Sequence, residues 1–248
     1  MSSEKQAVRL PSISDRLTLI GATGSGKTVA GLWHLSRQPI DAMPWLVIDY
    51  KGDENINTIP YAQHVALGAP LLNGVYIVHP MLRDKDELED YLWQVWSQED
   101  TGIMVDEGFM LSDSEAFNTI LMQGRSKRIP VIVCTQRPVS VSRFVFTEAS
   151  FIQVFRVIDK RDRKTIAEFT PIFQPATALR RVARASGTRE QKQHEDWMLP
   201  PFYSYYYDVA RHKLTTLKPV DTMQKIRGTF SQKLKPVIEE RQRMRTYI

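Results

Sequence analysis

Gly21-Ala22-Thr23-Gly24-Ser25-Gly26-Lys27-Thr28 is the stretch that decides the fold of this 248-residue chain. It matches G-x-x-x-x-G-K-[ST] at every fixed position. The apolar run Leu17-Thr18-Leu19-Ile20 before it predicts a buried strand, and Thr28 to Leu35 after it predicts a helix. Between a strand and a helix, glycines at 21, 24 and 26 let the backbone turn sharply, so that successive N–H groups face inward toward phosphate oxygens. The helix N-terminus adds partial positive charge at the same point. Lys27 is placed to reach the β- and γ-phosphates of a nucleotide, and the Thr28 hydroxyl to ligate Mg²⁺. Gly21, Ala22, Thr23, Gly24, Ser25, Gly26, Lys27 and Thr28 are therefore the expected ATP-binding residues, with ATP and Mg²⁺ as the expected cofactors.

Working outward, 42% hydrophobic and 25% charged residues fit an ordinary globular protein, with length enough for one large α/β domain. No run approaches the ~20 apolar residues that a membrane span needs, and the first residues lack the apolar core of a signal peptide. The sole cysteine, Cys134, lies in an apolar run and is expected to be a buried strand residue, which points to a reducing compartment. The net charge of +5 is concentrated. From Thr222 to Ile248 there are seven basic residues and two acidic ones, and the rest of the chain balances. A neutral body with a basic tail suggests a polyanionic partner.

Further apolar, β-branched-rich runs recur at Trp45–Asp49, Val75–His79, Ile103–Val105, Val131–Cys134 and Phe151–Val157. Continuous apolar strands alternating with helices predict a mainly parallel sheet covered on both faces. Helices are expected over Lys85–Gln98, Ser114–Gly124 and Lys160–Phe169. Past Pro171 the segment Ala176–Gln193 is polar, with Arg180, Arg181 and Arg184 at helical spacing. Phe202–Val209 and Lys213–Leu217 then read as a β-hairpin, its tyrosines serving mainly as strand formers. The expected division is an ATPase domain over 1–221, with its motif core at 17–157 and the hairpin at about 202–217, followed by a basic tail over 222–248.

Two more sites carry chemistry. Ile103-Met104-Val105-Asp106-Glu107 is a strand ending in adjacent carboxylates, which alternation along a strand aims differently. Asp106 suits the Mg²⁺ shell and Glu107 the polarisation of an attacking water, an arrangement for hydrolysis rather than phosphoryl transfer to a second substrate. Val131 to Pro138 (VIVCTQRP) ends a second apolar strand in Thr135-Gln136, at the edge where a parallel sheet presents ligands. Gln136 is expected to meet either the γ-phosphate or the water.

Taken together, GATGSGKT, GIMVDEG and VIVCTQRP resemble the FtsK–HerA branch of P-loop motor ATPases, over roughly Leu17 to Val157. Val47 to Glu54 (VIDYKGDE) is similar to that family's second-strand motif, through Asp49, Lys51 and Gly52. The resemblance implies a RecA-like (ASCE) fold and a homo-oligomeric ring that moves double-stranded DNA. It also implies an arginine finger acting in the neighbouring subunit, for which Arg125 is the candidate and Arg128 and Arg137 the runners-up. In size and layout the chain resembles the small genome-packaging ATPases of membrane-containing double-stranded DNA viruses. That likeness implies host cytoplasm or virion vertex as the location, and capsid vertex proteins as further partners.

Alternatives are a conjugation or filamentous-phage assembly ATPase and, in another class, a nucleotide-gated switch. The closest approach to a guanine-reading element, Asp159-Lys160-Arg161-Asp162, has the wrong first residue, and Glu107 argues for turnover. A small-molecule kinase ranks lower, since no substrate lid is evident.

Overall fold

A computed structural model describes residues 8–173 and 199–246. The segment holding Arg180, Arg181 and Arg184 lies outside the described residues. Among the described residues nine strands form one sheet: β1 (Arg16–Ile20), β2 (Pro44–Asp49), β3 (Gln63–His64), β4 (Gly74–Val78), β5 (Gly102–Asp106), β6 (Val131–Thr135), β7 (Phe151–Val154), β8 (Ser204–Asp208) and β9 (Lys213–Leu217). Their order is β3-β4-β2-β5-β6-β1-β7-β8-β9. Pairing is parallel from β3 through to β7, and the β8–β9 hairpin continues the sheet antiparallel from β7.

Seven α-helices are described: α1 (Lys27–Arg37), α2 (Glu54–Asn57), α3 (Lys85–Gln98), α4 (Glu115–Gln123), α5 (Phe144–Thr147), α6 (Lys160–Phe169) and α7 (Met223–Thr246). The expected helices are present, and their starts have a local cause. Ser114 caps α4 by accepting from the Phe117 N–H at 3.0 Å. Asp159 caps α6 by accepting from the Arg161 and Asp162 N–H groups. The strand expected over Phe151–Val157 ends earlier, at Val154. The two-residue strand β3 has no apolar run of its own to announce it.

The central strands are buried on both faces, as their unbroken apolar character predicts. Alternate side chains divide between two layers. Leu17, Leu19, Trp45, Val47, Met104 and Ile132 face one layer with Leu32 and Leu35 of α1 and with Ile226, Phe230 and Leu234 of α7. Leu46, Ile48, Ile103, Val105 and Val133 face the other with Leu88 and Leu92 of α3 and Phe117 and Ile120 of α4. The basic C-terminal segment is thus largely a helix docked on the core. Three of its cations are engaged there: Arg227 donates to Thr58 Oγ1, Lys233 to the Gln38 carbonyl, and Arg241 to Tyr76 and the Asn73 carbonyl.

Cys134 is fully buried in β6, and burial pushes its thiol pKa up. Gly31 of α1 lies against it, so close that a Cβ there would stand 2.9 Å from the Cys134 sulfur. Only a glycine lets the helix approach β6 this tightly.

A buried polar chain ties α1 to the hairpin. His34 Nε2 lies 2.9 Å from Gln153 Oε1, and the Gln153 amide donates to Ser204 Oγ at 2.9 Å. Burial pushes the His34 imidazole down to about 4. The unfolded chain, with an ordinary histidine, takes up a proton near pH 6.5 that the folded chain refuses until about pH 4. His34 therefore costs stability progressively as pH falls from about 6.5 to about 4, on the order of 3 kcal/mol at the lower end. His34→Gln, which keeps a donor toward Gln153 but cannot titrate, is expected to flatten this part of the profile. Denaturant midpoints of both proteins at pH 7, 5.5 and 4.5 check it: an equal loss in the two would remove His34 as the cause.

Candidate active site

Parallel pairing brings the C-terminal ends of β1, β2, β5 and β6 to one edge. Ile20 pairs with Thr135, Leu19 with Cys134, and Asp106 with both Cys134 and Asp49. The loops leaving these four positions make the site. The strand carrying Gln136 lies between the strand that feeds the glycine loop and the strand that ends in Asp106. Three motifs separated in sequence thereby become neighbours.

The glycine loop turns as its composition predicts. Gly24 and Gly26 have φ of +75° and +93°, where an L side chain is strained, and Gly26 sits at the N-cap of α1. Among the described residues no side chain caps that helix. Its first N–H groups are thus open to an anion.

Lys27 and Thr28 open the helix directly above β5. Lys27 Nζ stands 3.9 Å from Asp106 Oδ1, and Thr28 Oγ1 donates to the same oxygen at 3.2 Å. Asp106 is 2% exposed, and burial pushes its carboxyl up to about 6, with Lys27 pulling in the other direction. The donor set fits Mg²⁺: a hydroxyl and one carboxylate share a point beside the loop, and such ions keep several waters and take the rest of their shell from phosphates. Among the described residues no cluster of three or more His, Cys, Asp or Glu side chains competes as a metal centre.

Glu107 is 1% exposed and has a left-handed φ of 65°, a costly conformation for a residue with a long side chain. Its Oε1 is paired with Lys51 Nζ, while its Oε2 is buried and has no hydrogen-bond partner among the described residues. A buried carboxylate oxygen left open in this way is suited to take a water. Gln136 reaches the loop from the other side: its Oε1 accepts from Thr23 Oγ1 at 2.6 Å.

Asp49 and Lys51, flagged by the motif without an assigned role, form part of the same site. Asp49 is fully buried and its carboxylate accepts from the N–H groups of Lys51, Gly52 and Asp53, at 3.1, 3.0 and 2.8 Å. It therefore shapes the turn that delivers Lys51 to Glu107. The signal was present in Asp49-Tyr50-Lys51-Gly52, an acid, a cation and a turn glycine at a strand end. What periodicity could not supply was the register that sets Asp49 against Asp106.

Arg125 is the one predicted residue that stands apart. It follows α4 and precedes β6, near Arg16 at the opposite end of β1 from the glycine loop. It is exposed, at the sheet edge away from the glycine loop. Of the runners-up, Arg128 is held by a two-pronged ion pair with Asp100, and Arg137 lines a cavity shared with Thr23 and Gln136.

No profile of a known protein family matches the chain. Solved structures share its fold. The genome packaging NTPase B204 of Sulfolobus turreted icosahedral virus 2, in complex with AMPPCP, superposes with a TM-score of 0.62 at 16% identity, over 85% of this chain and all of that one. The conjugation coupling protein TcpA of pCW3 superposes with a TM-score of 0.54 at 13% identity, covering 86% of this chain and 64% of that one. The sequence comparison goes further. The DNA packaging ATPase P9 of Enterobacteria phage PRD1 is 37% identical over 226 residues, 90% of this chain and 95% of the relative. Identity at that level over nearly the whole of both chains makes this protein a member of the viral DNA-packaging ATPase family to which P9 belongs.

Proposed function

We propose that the chain is an ATP-driven motor that moves double-stranded DNA into a viral capsid, working as a homo-oligomeric ring. The observation that carries this reading is the convergence of Lys27, Thr28, Asp106, Glu107 and Gln136 on one glycine loop. In it the loop N–H groups and Lys27 hold the phosphates, and Thr28 and Asp106 hold Mg²⁺, which neutralises phosphate charge when bound. Glu107 takes the proton of the attacking water through its open oxygen. Gln136, already in contact with Thr23, reports the γ-phosphate to β6. A slow nucleotide switch has no need of a buried base in this position. The family relationship favours packaging over conjugation, since the chain matches P9 along nearly its whole length.

Arg125 is assigned to the neighbouring subunit's γ-phosphate, where charge builds as the bond breaks. Its distance from its own loop supports action across a boundary and argues against action within the subunit. The host cytoplasm or the virion vertex is the place of work, with capsid vertex proteins as partners. The division at about residue 221 is retained as a functional one: α7 is packed on the ATPase core, but its exposed Lys225 and Arg243 face away from it and suit the DNA backbone.

Lys27→Ala is expected to lose nucleotide binding along with turnover, because the phosphates lose a neutralising charge. Glu107→Gln is expected to bind ATP as the parent does while hydrolysis falls by at least about a hundredfold, within the range of general-base loss. Calorimetric ATP binding beside a phosphate-release assay separates the two, and normal hydrolysis by Glu107→Gln would remove the base assignment.

Arg125→Ala is expected to bind ATP normally and to hydrolyse it about 10³- to 10⁵-fold more slowly. Mixed with Lys27→Ala subunits, which offer an intact Arg125 to their neighbours, it is expected to regain measurable turnover. Mixed rings that form and stay inactive would count against the trans assignment.

Truncating α7 would strip Ile226, Phe230 and Leu234 from the core, so charge reversal is the cleaner probe of DNA contact. Lys225→Glu with Arg243→Glu is expected to weaken binding to all DNA sequences alike. The slope of log affinity against log salt should flatten by about 2, roughly 0.9 per lost phosphate contact. An unchanged slope would assign this face to a protein partner.

A further inference from the structure

Asp106, Glu107 and Gln136 all end strands on the β6–β5 side of β1. A triphosphate whose γ end faces these groups directs its nucleoside end across the loop, toward β7. There the chain past β7 and the approach to β8 close on the glycine loop. Gly24, Ser25, Arg156, Ile158, Leu199 and Phe202 line a cavity of about 240 Å³ at this position, with Ala22 and Thr23 at its edge. Its position is anchored to the loop itself, since the Ala22 N–H donates to the Arg156 carbonyl at 3.1 Å.

Two properties of the lining residues are not accounted for by packing among the described residues. Phe202 has φ of +65°, a left-handed conformation rare for a bulky side chain, and is 54% exposed beside the loop. Its ring covers Gly26, where a Cβ would stand 3.1 Å from Phe202 Cδ1. Ile158, which also lines the cavity, is 58% exposed. Large apolar groups held open around a cavity that adjoins a phosphate cradle are the mark of a small-molecule subsite. The larger cavity nearby, about 510 Å³, adjoins Gln136 and is walled by Arg137, Asp159, Arg161 and Asp162. It mixes those charges with Val139, Val157 and Ile158, and its Gln136 end lies on the side of the loop that the γ end of the triphosphate faces.

We propose that the cavity under Phe202 is the nucleobase subsite, in which a purine stacks on the Phe202 ring and packs against Ile158, with Arg156 at the ribose side. The proposal rests on the reading of Gly21–Thr28 as a phosphate loop. Stacking accepts any base that presents a π face. Among the described residues no carboxylate or carboxamide side chain lines the cavity to read a base edge. Adenine and guanine nucleotides should therefore enter with similar affinity.

Calorimetric titration of the full-length protein with ATP, GTP and inorganic tripolyphosphate, each with Mg²⁺, tests this. Phe202→Gly is the informative variant, because glycine adopts the left-handed conformation freely and the thermal midpoint should hold. It is expected to weaken ATP and GTP about ten- to a hundredfold and leave tripolyphosphate unchanged, while Phe202→Trp restores both nucleotides. Equal weakening of all three by Phe202→Gly would show that the ring merely props the loop, and no weakening of any would place the base elsewhere; either result overturns the subsite. A parent protein that binds none of the three would overturn the phosphate-loop reading, and the subsite with it. Tripolyphosphate binding that Lys27→Ala abolishes, beside nucleotide affinity indifferent to Phe202, would leave the loop reading intact and reject this one alone.

Discussion

A carboxylate almost sealed from water is the constraint around which the site is built. Asp106 lies at the floor of the glycine loop with Lys27 and Thr28 within 3.9 and 3.2 Å. Removing such a charge from water costs several kcal/mol unless a cation and hydrogen bonds answer it. Lys27 can answer only if α1 begins at that residue, over the end of β5. That start requires the left-handed turns at Gly24 and Gly26, and those require β1 to end level with Thr135 of β6. Each condition is met by a different stretch of sequence, so the charge pair is satisfied only in the completed sheet.

The same logic extends one strand further. β5 and β2 pair in register to their last residues, which sets Asp49 against Asp106. Two buried acids side by side would repel, but their oxygens are turned to different work. Asp49 is consumed by three backbone N–H groups of the Lys51 turn, and Asp106 is left for Lys27 and the Thr28 hydroxyl. Lys51 in turn meets Glu107. The site is therefore a linked set of charges in which the turn, Lys51 and Glu107 are positioned by one hydrogen-bonded carboxylate.

Much of this was legible in the chain as written. Runs such as Leu17–Ile20 and Val131–Cys134 are unbroken because both faces of their strands are covered, and that alone predicts the parallel sheet between helices. That the glycine loop, Asp106, Glu107 and Gln136 would meet at one edge was legible because each sits at a strand's end. Arg156, Phe202 and the Lys51–Glu107 pair were not, because their meaning depends on which strands become neighbours. The C-terminal helix was misleading for another reason: counting charge does not reveal that Arg227, Lys233 and Arg241 are spent on internal partners. Only the spacing of Ile226, Phe230 and Leu234 in α7, at four-residue intervals, hinted that one face would be buried.

Cys134 sits where α1 presses on β6, its sulfur 4.0 Å from the Lys27 carbonyl. With no exposed surface and a thiol pushed away from its reactive anion, it is chemically silent while the helix is seated. For an alkylating reagent to reach the sulfur, α1 must lift from β6, and Lys27, whose carbonyl lies over it, must move too. The lone sulfur thus serves as an internal gauge of how firmly the helix is seated.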